Sequence, residues 1–435
     1  MYYFFILERK NSTDNFIHLY IIAPLFFALP EINQSVVMKK DFLKMALVLG
    51  SLSWIGPFAI DMYLPAMPLI AEDLNASISA SQATLMSFFI SFGLTQLVYG
   101  PASDVFGRKP PLYFGLLVFA MGSLGCAMAP TINWLIGMRF VQGVGAAAVM
   151  SIPRAVIRDC YTGNEATRLM STIMIIVAIS PMFAPLLGSA VIIPFGWRAV
   201  FIAVSLASII GFLMTRFGLK ETLSPENRTP FKFGQMLKAF GVLFRDTHYM
   251  GLTLIGGMGM GSFFAFLATS SFLYMDYYGL TSFQYSMAFG LNAFGFFAAS
   301  QLAATLEARF GAINVIKWAV GGYFVSACLM LTLVLLGFDN FPLLVALLLI
   351  TYAFLGLVLP TSMVLALEDH GPIAGTAASL GGTLQMVVGA ISIAVVSAVF
   401  NNTPVPLVIA IFVCALVAVI LSVVALKTPH ESVTA

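Results

Sequence analysis

"GPASDVFGRKPPL", residues 100–112, is the stretch that decides the fold. It gathers Asp104, Arg108 and Lys109, two glycines and three prolines in a chain that is only 9% charged. Glycines let helix ends approach closely, and Pro110-Pro111 can open a helix at positions where a missing amide donor costs nothing. The stretch therefore reads as a charged turn between two helices, and its surroundings say what kind of helices they are.

The 435 residues are 60% hydrophobic, with a mean hydropathy of +0.96. A soluble domain carries roughly 25% charged residues and could not hide this much apolar surface. Apolar runs of about 20 residues recur, each long enough to cross a bilayer as a helix. The expected fold is an all-α polytopic membrane protein. Twelve spans are predicted near 42–65, 80–101, 111–129, 132–154, 167–192, 198–219, 248–274, 283–306, 312–336, 342–366, 374–399 and 405–426. The longest connection, 220–247, is polar and divides them six and six, so the organisation reads as a first half at 38–219, a central loop and a second half at 248–435.

Four scattered cysteines, Cys126, Cys160, Cys328 and Cys414, show no metal-binding or disulfide spacing. Nucleotide-cradling, nucleophile-elbow and metalloprotease motifs are absent, and so is any basic-aromatic tract for nucleic acid. Neither an enzyme nor a nucleic-acid partner is expected, and no cofactor. The expected partners are a small molecule and the bilayer, and the protein is expected to be a monomer.

Lysine and arginine set the orientation. Lys39, Lys40, Lys44, Arg108, Lys109, Arg158, Arg168, Lys220, Arg228, Lys232, Lys238, Arg245, Arg309, Lys317 and Lys427 fall on one set of loops and ends. The other set holds Arg198 with Glu72, Asp73, Asp276 and Asp339. Both ends of the twelve-span unit and the central loop are expected to face the cytoplasm. The run "FIHLYIIAPLFFALP" (16–30) is short and broken by Pro24 and Pro30. "MKKDFLKMALVLG" from Met38 looks like a natural start, so residues 1–37 read as an extension that is dispensable or not native.

Twelve spans split six and six suggest a transporter built from repeats. The turn itself resembles the signature loop of the major facilitator superfamily, through Gly100, Asp104, Gly107, Arg108 and Lys109; Val105 replaces the family's usual arginine. "RFVQGVGAAAV" (139–149) and "SPMFAPLLGS" (180–189) resemble further elements of that family. The second, with "IDMYLPAMP" (60–68), "KETLSPENR" (220–228) and "AGTAASLGGT" (374–383), is similar to the Bcr/CflA group of drug:proton antiporters. The equivalent turn after span 8, "TLEARFGAIN", keeps only Arg309 and Gly311. The resemblance implies that the charged turn latches the two halves together on the cytoplasmic side in the outward-open state, and that Pro181, Pro185 and Gly188 form an antiporter gating element. Ordinary membrane-helix kinks are the alternative for those prolines.

Asp61 in span 1 and Arg139 in span 4 are the charges read as lying well inside. Asp61 lies about 25 Å along span 1 and Arg139 about 10 Å from the outer end of span 4, at 1.5 Å per residue. The depths match, so the two are expected to be coupled: burial disfavours a charged carboxylate, a nearby guanidinium favours it, and small movements would switch protonation. The alternatives are a wet helix end for Asp61 and a structural donor role for Arg139. Tyr63, Gln142, Met150, Asn292 and Tyr352 are candidates for a drug cavity, and each could equally be packing. The leading function is proton-coupled efflux of amphipathic drugs or antibiotics by alternating access; uptake of a metabolite on the same fold is the alternative. A chain begun at Met38 is expected to insert and transport like the full chain, and loss of insertion would overturn the reading of residues 1–37.

Overall fold

Twelve helices long and apolar enough to cross a membrane run through the described residues of the computed structural model. They are spans 1–12: Lys44–Asp73, Ile78–Phe106, Lys109–Ala127, Ile132–Cys160, Glu165–Phe195, Arg198–Gly218, Thr247–Tyr277, Ser282–Phe310, Ala312–Leu335, Phe341–Glu368, Ala374–Val399 and Pro404–Ala425. The structure describes residues 40–228 and 233–426. The proposed extension at 1–37 lies outside the described residues. All twelve spans belong to one compact unit, Lys44–Ala435.

Several spans outrun their hydropathy. Span 4 continues six residues past the expected 154, and span 1 runs to Asp73 instead of 65. Hydropathy marks the hydrocarbon layer, whereas a helix continues into water until its end groups are capped. Those caps are in place. Ser77 and Thr131 accept from the amides of Ala80 and Trp134 at the starts of spans 2 and 4. Asp246 accepts from His248 and Tyr249 at the start of span 7. Thr281 and Gln284 form a reciprocal capping box on span 8. The central segment, read as a polar loop, also carries a helix, Phe233–Arg245. Met236, Phe240 and Leu243 recur on one of its faces, and Leu243 is buried.

Span 1 is not one regular helix. An α segment ends at Asp61, a 3-10 turn covers Leu64–Ala66, and α geometry resumes at Met67. Pro65 lacks the amide that an unbroken helix would need there, so it interrupts the span without ending it. Asp61 is thereby held at a break inside the bundle and is 4% exposed. That position excludes a wet helix end.

Within the first half, span 4 packs on spans 2 and 3, and span 3 on span 6. In the second, span 7 packs on spans 10, 11 and 12, span 8 on span 10, and span 9 on spans 10 and 12. The halves meet where span 2 crosses span 11 and span 5 crosses span 8. Buried hydrogen bonds join the halves. Ser189 donates to the Ser282 carbonyl at 2.9 Å and Ser286 to the Pro185 carbonyl at 2.9 Å where spans 5 and 8 cross, and Gln82 of span 2 donates to the Ala268 carbonyl of span 7 at 3.0 Å. These lie toward the face that carries Asp73, Asp276 and Asp339, here the acidic face. Thr383 donates to the Gly93 carbonyl at 2.8 Å, farther from that face, where spans 2 and 11 cross.

The motif glycine at 188 has a steric cause. A Cβ there would sit 2.4 Å from the Met62 carbonyl oxygen, so its absence lets span 5 lie against the break in span 1. Pro181 and Pro185 sit in the same continuous helix, and the Pro185 carbonyl is held by Ser286 of the other half. Gly188→Ala is expected to destabilise by about 1–3 kcal/mol through overpacking. Gly137→Ala, where a Cβ meets open space, should be neutral or slightly stabilising. Melting temperatures of the purified proteins check the contrast, and equal effects would contradict it.

Candidate functional site

Span 4 brings Arg139 into the centre of the first half, where it is fully buried. A guanidinium cannot shed its charge, so the fold must neutralise it. Its Nη1 donates to the Ala59 carbonyl at 3.1 Å and to Gln142 Oε1 at 2.6 Å. Its plane lies 4.6 Å from the ring centroids of both Tyr63 and Phe88, an arrangement worth about 2 kcal/mol or more once desolvated. Gln142 passes the chain on by donating to Ser123 Oγ at 2.8 Å, and the Tyr63 hydroxyl meets Thr84 Oγ1 at 2.6 Å.

The expected pairing of Asp61 with Arg139 is therefore corrected. The depth match holds, because Arg139 reaches a carbonyl two residues before Asp61. The carboxylate nevertheless makes no ion pair or side-chain hydrogen bond among the described residues; it lies within electrostatic reach of the buried hydroxyl of Tyr285 in span 8. Depth is legible from a 1.5 Å rise, but the face of span 1 from which a side chain emerges toward its neighbours is not.

A cavity of about 170 Å³ lies between the halves, toward the basic face. Phe92 and Gln96 of span 2, Met150 and Arg154 of span 4, and Gln385 and Met386 of span 11 line it. Of the five expected cavity residues only Met150 is in this wall. Tyr63 and Gln142 serve the Arg139 cradle. Asn292 and Tyr352 are buried in the second half: Asn292 Nδ2 donates to the Tyr274 hydroxyl at 3.3 Å, and Tyr352 packs among Phe263 and Phe266 and donates to the Ser262 carbonyl. A helix facing inward need not face the cavity, and large side chains fill the bundle core before they can line a void.

Arg154 escaped the sequence reading because span 4 was expected to end there, at the water boundary. His370, buried, and Glu307, half-buried, are two further titratable groups that were not expected inside the second half. Glu307 accepts from Thr361 at 2.6 Å, and His370 Nε2 lies 3.1 Å from Asp246 Oδ2.

The opening stretch forms a charge cluster at the basic face. Arg108, 6% exposed, bonds Asp104 one turn before it and Asp159 at the end of span 4 at 2.7 Å. Lys109 Nζ donates to the Leu219 carbonyl at 2.6 Å. Gly107 is required there twice over: its φ is +91°, and a Cβ would press on Glu221 and Arg228. A Cβ at Gly100 meets nothing, and the structure does not explain that glycine. Each partner named belongs to spans 2, 3, 4 or 6 or to the loop after span 6. In this form, with the cavity toward the basic face, the cluster ties the first half to itself, and the bridge to the second half expected of the outward-open state is not made among the described residues. The halves are instead joined by the buried bonds nearer the acidic face, leaving the basic-face side to the cavity.

Two six-helix halves that meet along two crossings, with a cavity between them, define a membrane transporter. A profile of the Major Facilitator Superfamily matches residues 49–393, and the chain belongs to that family. It is 35% identical over 384 residues to an uncharacterised MFS-type transporter, YdgK, of Bacillus subtilis, covering 87% of this chain and 94% of the relative. It is 30% identical over 377 residues to a bicyclomycin resistance protein homolog of Haemophilus influenzae, covering 86% and 94%. The fold matches that of the nucleoside transporter NupG with a TM-score of 0.69 over 89% of this chain and 99% of that one, at 13% identity. The protein is a multi-pass membrane transporter and not an enzyme, with relatives named for drug resistance.

The loop acid Glu221 gives a pH test. Partial burial alone would push its carboxyl up, but the amides of Arg108, Lys109, Leu223 and Thr222 outweigh this and hold it below its ordinary value of 4.5. A lowered folded-state value stabilises fully above the unfolded value and loses that stabilisation as pH falls through the lower one. Wild type is therefore expected to melt above Glu221→Gln at neutral pH, with the gap closing below pH 4.5. A gap independent of pH would contradict the assignment. Arg108→Ala should cost about 3 kcal/mol, because it leaves Asp159 without its partner; melting with no detectable change would contradict that.

Proposed function

We propose that the protein exports small amphipathic drugs or antibiotics across the bacterial inner membrane in exchange for protons, by alternating access, with the basic face in the cytoplasm. The observation that carries the reading is Asp61: a 4% exposed acid, without a counter-charge, at the break in span 1 where span 5 packs. An ionised carboxylate there has nothing to offset its desolvation, so the occluded site suits the protonated form. Rearrangement of the break would let water reach the group and release the proton. The drug-resistance names of relatives support the direction and the substrate class, and the excess of lysine and arginine on one face supports the orientation.

Arg139 does not change its charge partner in this account. Its carbonyl and aromatic contacts make it a fixed post against which span 1 bends. The seal near the acidic face and the cavity near the basic face fit a form that accepts substrate from the cytoplasm. One proton moving inward through 100 mV releases about 2.3 kcal/mol, enough to sustain roughly a fifty-fold gradient of a neutral substrate. The release drives export only if protonation and substrate binding oppose each other.

Asp61→Asn, which mimics the protonated acid, is expected to abolish uphill efflux and substrate-induced proton release while leaving drug binding in place. The check is proton release from purified protein on adding chloramphenicol, compared between wild type and variant. Equal release from both would place the exchanged proton elsewhere.

A further inference from the structure

Arg154 differs from Arg139 and Arg108, which hold protein partners: Arg139 Nη1 bonds the Ala59 carbonyl and Gln142, and Arg108 bonds Asp104 and Asp159. Arg154 lines the cavity between the halves and makes no hydrogen bond or ion pair with any described residue. Two acids near the same face are engaged elsewhere, Asp159 by Arg108 and Glu307 by Thr361. No acidic side chain is present among the described lining residues. A permanent cation in a mostly apolar wall is costly unless something brings it an anion.

A second unmet group faces it from the neighbouring helix. Gln96 of span 2 lines the same cavity, and its Oε1 is buried without a hydrogen-bond partner. Gly382 of span 11 lies against that amide, with room for a Cβ only 3.2 Å from Nε2, so the first half presents Gln96 directly to the second. Phe92, Met150 and Met386 supply an apolar, adaptable wall. The cavity of about 170 Å³ is the size that takes a single aromatic ring.

We infer that this cavity binds monocyclic aromatic monoanions, the Arg154 guanidinium holding a carboxylate or sulfonate and Gln96 Oε1 accepting a ligand N–H or O–H. Binding by itself needs no proton chemistry; that the bound anion is then exported rests on the efflux reading above.

Anthranilate and methyl anthranilate are suitable probes: both are small and fluorescent, both keep the amino donor, and only the first carries the charge. Full-length wild type in lipid nanodiscs is expected to bind anthranilate about tenfold more tightly than the more apolar ester, the factor a charge-assisted pair supplies. Arg154→Gln should remove that preference while leaving ester binding within about twofold, and Arg154→Lys should keep part of it, as a cation without the planar fork. Wild type that binds neither probe, or the ester as tightly as the acid, overturns the assignment. So does an Arg154→Gln variant that retains the preference, or one that loses both probes equally while its Lys counterpart does the same. If the preference is present but proton-loaded vesicles expel neither compound, the efflux reading fails and the anion site stands.

Discussion

A fully buried guanidinium sets the frame on which the rest of the first half depends. Arg139 keeps its charge at any physiological pH, so span 1 must offer a carbonyl at Ala59 and a ring at Tyr63, and span 2 a ring at Phe88. These demands fix the depth and rotation of span 1 on both sides of Asp61. The glycine at 188 then brings span 5 onto Met62, the next residue. The acid is held where two halves meet by contacts that its own charge does not make.

Three interior charges have three different solutions. Arg139 is held by a carbonyl, an amide oxygen and aromatic faces of the protein. Asp61 has no counter-charge and can be compensated by a proton. Arg154 has no counter-charge either, cannot lose its proton, and faces a cavity that can bring an anion. The distinction between a structural and a working charge in a membrane protein lies in who compensates it. In this protein the two working charges sit on opposite sides of the Arg139 cradle, Asp61 toward the packed crossing of spans 5 and 8 and Arg154 toward the basic-face cavity.

The architecture was largely legible in the sequence. Twelve apolar runs, the basic and acidic loop sets and the turn at 100–112 locate every span to within a few residues at most ends, because hydrocarbon thickness and loop charge are one-dimensional properties. Glycines at 107 and 188 were recognisable by motif, and their steric causes became clear only with their partners, Glu221 and Met62. The side of the helix that a residue occupies was less legible. Asp61 emerges from span 1 without meeting Arg139, and Tyr352 and Asn292 went into the aromatic core of the second half. Arg154 was hidden by a different cause: hydropathy ends span 4 where the hydrocarbon ends, while the helix continues to Cys160 and carries the arginine along the cavity wall.

The claim at the centre of this account is that Asp61 holds a proton that substrate displaces. Infrared difference spectroscopy of the purified protein tests it most directly, in the C=O stretching region of protonated carboxyl groups. The account predicts a buried carboxylic-acid band in substrate-free wild type that disappears when chloramphenicol is added and is missing from Asp61→Asn. A band that persists in the variant, or a wild-type spectrum unchanged by substrate, would contradict it.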